Sequence, residues 1–289
     1  MTELLKQEKP DITVSTYGNE VDFLYKIKDG GKRIVEIHFS RWFRLECEQP
    51  SILYKLANRY LTWRDKRLVD KYDAFVCLTH EDLNNWGNLG NIHVIPNFIE
   101  QEQPSIVHSS FTNKQVIAVG RLSFQKGYDR LIRAWVIVHK SCPEWKLKIF
   151  GDGELKGELL QLISDLGLVG TIQICAPMKE ITSEYIKSVM LVSSSRYEGL
   201  PMVMLEAMRC SLPIVSFACQ CGPRDIIEDG VNGFLVHEGN IQQLAYCLIR
   251  LMENPNQLRA MGHKAYLASL QYDESIVMPK WIALFNSLQ

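Results

Sequence analysis

Short runs of apolar, β-branched and aromatic residues alternate along the chain with longer segments whose apolar residues recur at helical spacing. The short runs predict buried strands, and they cover residues 11–17, 32–38, 73–79, 92–95, 115–120, 145–150, 172–175, 189–192, 213–217 and 230–236. The longer segments predict helices within residues 21–28, 51–72, 128–139, 177–187, 201–208, 241–253, 256–270 and 275–288. Regular alternation of strand and helix predicts an α/β protein with parallel sheets.

The chain is long enough for about two domains, at 289 residues. Because a strand–helix–strand unit takes about thirty residues, residues 1–97 supply only four predicted strands. Pro96-Asn97 indicates the end of this part, and the polar, irregular residues 101–113 predict a hinge after it.

Candidate chemistry is concentrated in the strand, loop and helix between Val189 and Met208. Gly199 gives the loop backbone freedom, and Pro201 suits a first helical position. The free N–H groups at a helix start bind anions, and the loop and helix carry two acids, Glu198 and Glu206. A carboxylate can accept hydrogen bonds from neighbouring sugar hydroxyls. The stretch therefore suits a nucleotide-sugar, although a helix-terminal acid followed by an exposed helix acid is the simpler interpretation.

A second loop carries two cations. It follows the predicted strand 115–120 and reads Gly120-Arg121-Leu122-Ser123-Phe124-Gln125-Lys126-Gly127. Arg121 could grip phosphate oxygens with two parallel hydrogen bonds, and Lys126 could act as a point charge. Fixed cations stabilise the negative charge that develops on a departing diphosphate. Two exposed basic residues after a strand are the alternative.

These motifs resemble a known family. Glu198-Gly199-Leu200-Pro201, Leu205-Glu206-Ala207-Met208 and the Gly-Arg-Leu…Lys-Gly loop are similar to those of the family-4 retaining glycosyltransferases, group 1, of the GT-B fold. That fold has two Rossmann-like parallel-sheet domains. The resemblance implies catalytic roles for Arg121, Lys126, Glu198 and His38. It also implies that the donor-binding residues are Gly120, Gly199, Leu200, Pro201, Met202, Val203 and Glu206.

By the same resemblance, residues 1–97 are part of an acceptor-side domain whose first strand and glycine-rich loop are not found before Asp11. Residues 98–274 are expected to be the nucleotide-sugar-binding domain, and residues 275–289 a helix that packs back toward the first domain. His38 follows a strand and would approach the donor sugar in the cleft between domains. A single histidine at a strand end is also a common structural feature.

Composition limits the partners and the cellular locations to be expected for the protein. The net charge of −1 gives no reason to expect nucleic-acid binding. The N-terminus has no secretory pattern, and no apolar run approaches the length of a membrane span. The eight cysteines include no Cys-x2-Cys pair, which favours reduced thiols and a cytoplasmic location.

One segment carries unusual charge. Residues 41–71 contain eight Lys or Arg against four acids, with aromatic residues among them. Such a segment suits anionic lipid headgroups, which would place the protein peripherally at the inner face of the membrane. A solvated helix with a packed apolar face is the other interpretation.

The motifs that are missing narrow the function further. The sequence has no Asp-x-Asp, no Gly-x-Gly-x-x-Gly and no phosphate-binding P-loop, which disfavours a dehydrogenase or an ATPase. We expect a retaining glycosyltransferase that needs no metal or cofactor. It would move sugar from UDP- or GDP-sugar to a saccharide or lipid-linked acceptor in cell-surface polysaccharide synthesis. A sugar-nucleotide epimerase of the same fold, and a non-catalytic nucleotide-sugar-binding or partner protein, are the alternatives.

Overall fold

A computed structural model describes residues 2–46, 51–100 and 109–289 of the chain. The chain divides into two compact units: the first unit is Met1–Phe98 with Glu274–Gln289, and the second unit is Ile99–Asp273. Residues 101–108 of the predicted hinge lie outside the described residues. In the described parts of the chain, no helix combines the length and the apolar character needed to cross a bilayer.

The first unit contains a four-stranded parallel sheet in the order β1-β2-β3-β4. Its strands are β1 (Ile12–Ser15), β2 (Lys32–Glu36), β3 (Ala74–Cys77) and β4 (Ile92–Val94). Its helices are α1 (Thr2–Glu8), α2 (Phe43–Glu46), α3 (Ile52–Val69), α4 (His80–Trp86) and α12 (Glu274–Leu288). Ser51 caps α3, because its side chain accepts a hydrogen bond from the Tyr54 N–H.

The predicted helix over 21–28 is wrong. The structure has two short 3-10 turns instead, Asn19–Asp22 and Leu24–Lys26. Phe23, between them, has φ −135° and ψ −20°, which is outside the helical region, so the two turns cannot join into one helix. Gly18, before the first turn, offers no side chain to cap it.

The second unit contains a six-stranded parallel sheet in the order β10-β9-β8-β5-β6-β7. Its strands are β5 (Gln115–Val119), β6 (Lys146–Phe150), β7 (Ile172–Cys175), β8 (Met190–Ser193), β9 (Ile214–Phe217) and β10 (Gly233–Val236). Its helices are α5 (Tyr128–Ser141), α6 (Lys156–Asp165), α7 (Thr182–Lys187), α8 (Met202–Arg209), α9 (Pro223–Ile226), α10 (Ile241–Met252) and α11 (Pro255–Ser269). Counted from β5, the order is 6-5-4-1-2-3, which is the order of a dinucleotide-binding fold.

The core of the second unit explains its continuous apolar strands. β9 is buried at all four positions, as expected for a parallel strand covered on both faces. Trp135 of α5 is fully buried, and Leu248 of α10 belongs to the same apolar cluster. Both sheets are parallel and helix-flanked, so the predicted α/β fold class with two Rossmann-like sheets is confirmed.

The last helix, α12, packs on the sheet of the first unit. Val277 and Leu284 are buried against Ile34, Ala74 and Val76, which come from β2 and β3. This helix therefore closes the face of that sheet with residues from the far end of the chain.

Replacing Leu284 with alanine should lower the free energy of unfolding by roughly 2–5 kcal/mol, because it leaves a cavity beside β2 and β3. Ile282 of the same helix is 53% exposed, so Ile282→Ala should change it by no more than about 0.5 kcal/mol. Urea titration followed by circular dichroism measures both. Equal losses in the two variants would contradict this packing.

Candidate functional site

The predicted site residues of the second unit lie where the strand order of its sheet reverses. β5 pairs with β6 on one side and with β8 on the other, with Ile117 opposite Leu191. The chain therefore runs outward from β5 in one direction and outward from β8 in the other. In open parallel sheets, ligands bind outside the carboxyl ends of the strands at such a switch point. The loops that follow β5 and β8 carry the two predicted motifs.

Lys126 and Glu198 join these loops directly. The Lys126 Nζ lies 2.6 Å from Glu198 Oε1, and the Ser195 hydroxyl donates to the same oxygen at 2.6 Å. Glu198 is buried, so its charge depends on these two donors rather than on water. The structure brings these two predicted residues together.

Arg196 adds further bonds between the loops. Its guanidinium donates to both carboxylate oxygens of Asp129, at 3.0 and 2.8 Å, and to the Phe124 carbonyl at 2.7 Å. It also lies 4.0 Å from the centroid of the Phe124 ring. Burial acts to raise the pKa of Asp129, but the hydrogen bonds and the charge of Arg196 outweigh burial and lower that pKa. The sequence motifs did not indicate this role for Arg196, because its partners are remote in sequence.

Hydrogen bonds to backbone carbonyls complete the connection between the two loops. The Arg196 N–H donates to the Gln125 carbonyl at 2.7 Å, and the Gln125 side-chain amide donates to the Tyr197 carbonyl at 3.0 Å. The Ser194 hydroxyl donates to the Lys126 carbonyl at 2.8 Å. Together with the Lys126–Glu198 pair, these bonds fix the lysine-bearing loop against the glutamate-bearing loop. We call residues 120–127 and 194–199, joined in this way, the loop junction.

Two glycines make this close approach possible. Gly127 has φ +61°, and a β-carbon there would meet the Ser194 carbonyl oxygen. Gly120 has φ +151°, and a β-carbon there would lie 3.0 Å from the Lys126 Cε. A side chain at Gly127 would therefore force the loop junction apart, and one at Gly120 would crowd the Lys126 side chain, beyond the strain of the backbone angle itself.

Arg121 lies apart from this pair. Its side chain is 74% exposed and forms an ion pair with Glu154, Nη2 to Oε2 at 3.2 Å. In the described structure Arg121 is thus on the same loop as Lys126 but is not part of the Lys126–Glu198 pair. An exposed pair of this kind contributes little to stability, so its arginine can exchange partners readily.

Glu206 lies on α8 and contacts a residue that the sequence did not indicate. Its Oε2 accepts a hydrogen bond from the Tyr185 hydroxyl at 3.0 Å. Tyr185, on α7, is fully buried, and burial, with the nearby Glu206 charge, raises its pKa well above the ordinary value. The local sequence around Tyr185 carries no signal for this bond, because its partner is on another helix.

The start of α8 differs slightly from the prediction. The structure makes Pro201 the N-cap residue, with ψ +97°, and Met202 the first helical residue. Pro201 makes no side-chain hydrogen bond that would cap this end of the helix. Leu200 is buried, and a β-carbon on Gly222 would lie 2.7 Å from the Gly199 carbonyl oxygen. The loop before α8 is thus packed tightly against Gly222.

His38, the remaining predicted residue, belongs to the first unit and follows β2. Its Nε2 lies 3.3 Å from Glu36 Oε1. The hydrogen bond with Glu36 raises the pKa of His38, against the opposing effect of burial. Among the described residues, no three His, Cys, Asp or Glu side chains come together in a way that could hold a metal ion.

The Glu36→Gln variant should lower the pKa of His38, because it removes the partner charge and leaves the opposing effect of burial. A raised histidine pKa stabilises the fold fully below the ordinary value, and this contribution is lost as pH rises through the raised value. The stability difference between wild type and Glu36→Gln should therefore shrink as pH rises past neutrality. Titration of the His38 ring protons by NMR measures the pKa, and Glu8→Gln, at an exposed position, serves as the control. An unchanged His38 pKa in Glu36→Gln would refute the pairing.

Comparison with known proteins identifies the family. Residues 100–268 match the family described as Glycosyl transferases group 1. The amylovoran biosynthesis glycosyltransferase AmsD of Erwinia amylovora is 35% identical over 274 residues, which are 90% of this chain and 76% of that protein. The poly(ribitol-phosphate) alpha-N-acetylglucosaminyltransferase of Staphylococcus aureus is 29% identical over 75% of this chain and 45% of its own length.

Solved structures show the same fold. The crystal structure of a mutant of Staphylococcus aureus TarM, in complex with fondaparinux, alpha-GlcNAc-glycerol and UDP, superposes with a TM-score of 0.84 at 24% identity, covering 99% of this chain and 58% of that chain. The chain thus spans only part of these relatives. By its family match, its sequence similarity and its fold, the chain belongs to the group 1 glycosyl transferases and is a glycosyltransferase of the GT-B fold.

Proposed function

We propose that this glycosyltransferase moves a sugar from a UDP- or GDP-sugar to a saccharide or lipid-linked acceptor, with retention of configuration and without a metal ion. The observation that carries the proposal is the Lys126–Glu198 pair at the switch point of the sheet. An ammonium group, a buried acid and a helix start follow one another here, and a second acid, Glu206, lies further along that helix; this set suits a diphosphate with a sugar at each end.

The diphosphate would take its charge compensation from the protein. An ammonium group has three N–H donors, and one of those on Lys126 is used by Glu198, so the others can reach phosphate oxygens. Arg121 is exposed and paired only at the surface, so it can turn to the same phosphates. The N–H groups at the start of α8 would bind a further phosphate oxygen. Positive charge fixed in this way stabilises the leaving nucleoside diphosphate.

The two acids would bind the two sugars. Glu198 already accepts bonds from Lys126 and Ser195, and a carboxylate held in this way is a weak nucleophile. We therefore assign it to orienting the donor sugar and propose no protein nucleophile. Glu206, on α8, would bind the ribose hydroxyls while Tyr185 holds its other side.

The relatives support a role in the synthesis of surface polymers. AmsD is named for amylovoran biosynthesis, and another relative for transfer to poly(ribitol-phosphate). A structural neighbour, Anabaena HepE, was crystallised with UDP-glucose. We extend these properties to this chain as the proposed acceptor class and donor type. We propose the same donor-site roles for Gly120, Gly199, Leu200, Pro201, Met202 and Val203, and a role close to the donor sugar for His38.

The proposal requires specific binding of a nucleoside diphosphate. Calorimetry with UDP and with GDP should show that one of them binds, and that removing its ribose hydroxyls weakens binding. In Glu206→Ala, that preference for the ribose should disappear. The binding free energy should become weaker by roughly 1.5–3 kcal/mol, as expected for lost hydrogen bonds to a charged group. Glu158→Ala, which removes an exposed helix acid, should change nothing. If neither diphosphate binds at millimolar concentration, the donor site is wrongly assigned.

The reaction itself separates the candidate functions. A transferase releases free nucleoside diphosphate only when acceptor is present, and NMR of the product reports whether the anomeric configuration is retained. An epimerase would act on the donor without acceptor, and a non-catalytic binder would release nothing.

Arg196 should act as a positioning residue for Lys126. Arg196→Gln breaks the bidentate bond to Asp129, so Lys126 is positioned less well. The affinity for the nucleoside diphosphate should therefore fall about tenfold, as expected when one hydrogen bond to a charged group is weakened. Affinity for the free nucleoside, which has no phosphate, should stay the same. Arg196→Lys should restore little, because lysine cannot form the two parallel bonds. Equal losses for nucleoside and diphosphate would indicate general damage to the unit instead.

A further inference from the structure

Most of α3 is oriented opposite to an ordinary surface helix. Three of its polar side chains, Asn58, Thr62 and Asp65, are buried. The Asn58 amide donates to the Arg44 carbonyl at 3.0 Å, and Asp65 accepts from the Arg44 Nε at 3.0 Å. These polar partners fix which face of the helix is turned toward the protein. Most large apolar residues before Asp65 are therefore left on the outside, whereas Leu68 and Val69 at the end of the helix are buried.

The outward face is strongly apolar. Six large side chains of α3 are about half to three-quarters exposed: Ile52 73%, Leu53 74%, Tyr54 47%, Leu56 60%, Tyr60 60% and Trp63 49%. At 3.6 residues per turn, five of them, all except Tyr54, fall within an arc of about 100°. A contiguous exposed apolar stripe of this size marks an interaction surface. We call these side chains the α3 stripe.

The charged side chains on one flank of the α3 stripe are all positive. Lys55, Arg59 and Lys66 follow one another along one flank at helical spacing. Asp65 is the only acid between Ser51 and Val69, and it is buried and paired with Arg44. The exposed surface of the helix therefore presents cations and apolar groups together, without a compensating carboxylate of its own.

A groove beside the α3 stripe also combines cations with apolar groups. Its volume is about 520 Å³, and its lining residues are Arg41, Trp42, Leu45, Lys55, Arg59, Thr62 and Trp63. The guanidinium of Arg41 is ordered above two rings, 4.6 Å from the Trp42 centroid and 5.3 Å from the Trp86 centroid. Three cations between two indoles suit a phosphate group that is attached to an apolar body.

We propose that α3 docks on an anionic lipid bilayer, with the α3 stripe in the headgroup and acyl boundary and the groove around a lipid phosphate. An amphipathic helix with Lys and Arg on its polar side and Leu, Ile, Trp and Tyr on the other binds membranes in this way. Tyrosine and tryptophan suit a boundary that is apolar on one side and wet on the other. The negative surface of the bilayer complements the cations on the flank. This inference stands independently of the proposed donor site.

Flotation of the full chain with vesicles tests the proposal. The protein should float with phosphatidylcholine vesicles that contain phosphatidylglycerol and stay behind with phosphatidylcholine alone, and added salt should release it. The double variant Lys55→Gln, Arg59→Gln should bind about 25-fold more weakly, at roughly fivefold per cation. Leu53→Ser with Leu56→Ser should weaken binding at every salt concentration, because that contribution is apolar.

Matched controls use equally exposed positions elsewhere. Val169 is 73% exposed, so Val169→Ser controls for loss of an apolar side chain. Arg133→Gln with Lys140→Gln, both exposed on α5, controls for loss of two charges. All the substituted side chains are exposed, so thermal unfolding should be unchanged.

Three results would overturn the proposal. The first is failure to float with anionic vesicles, and the second is flotation that the α3 variants do not reduce. The third is a dimer, or a complex with another protein, that forms through the α3 stripe while vesicles remain unbound. Free inorganic phosphate separates the groove from the bilayer, because phosphate at millimolar concentration should not displace the protein from vesicles. Displacement at that concentration would be a fourth contrary result, because it would show that a soluble anion, and not the lipid surface, occupies the groove.

Discussion

The ion pair between Lys126 and Glu198 is the contact on which the candidate site depends. Removing two charges from water costs several kcal/mol per ion, and only good geometry with further hydrogen bonds offsets that cost. Here the Ser195 hydroxyl supplies an extra donor to Glu198, and the backbone bonds of the loop junction hold the lysine in place. The pair is neutral as a whole, so it keeps Lys126 fixed without leaving an isolated buried charge.

This arrangement affects how an anion could bind. A lysine already paired with a carboxylate attracts a phosphate less than a free lysine would. In return, its Nζ does not have to be ordered when the ligand arrives, which reduces the entropic cost of binding. Arg121 is the opposite case, because it is exposed and, among the described residues, is held by Glu154 at the surface. One cation is thus preorganised and the other must move, and the two contribute to binding in different ways.

Much of this fold could be predicted from local pattern, because apolar strand runs and helical spacing are properties of neighbouring residues. The predicted strand 172–175 is β7 without change, and the helix predicted over 275–288 is α12 with one residue added at its start. The short turns around Phe23 could not be predicted, since one residue with non-helical angles divides an otherwise helical pattern. Short helices such as α2 and α4 also lack a pattern long enough to detect.

Part of the candidate site could likewise be predicted from the sequence, and part could not. The motifs locate Lys126 and Glu198 on loops after neighbouring strands, and the topology of the sheet brings those loops together. Arg196 and Tyr185 could not be found in this way, because their partners Asp129 and Glu206 are distant in sequence. The orientation of α3 is the clearest case. Its apolar residues at helical spacing would ordinarily indicate a buried face, but Asn58 and Asp65 find their polar partner in Arg44, and this turns the apolar residues outward.

Docking through α3 and transfer to a lipid-linked acceptor would reinforce each other. A protein held at a bilayer meets a lipid-linked acceptor at the concentration set by the surface rather than by the bulk solution, and such tethering can raise apparent affinity by factors of roughly 10²–10⁴ without any new contact. The acceptor site would then need few contacts of its own, since the surface supplies the encounter. A water-soluble acceptor would gain nothing from the α3 stripe. Mutation of Leu53 and Leu56 should therefore slow transfer to a lipid-linked acceptor in vesicles and leave transfer to the same saccharide, freed of its lipid, unchanged.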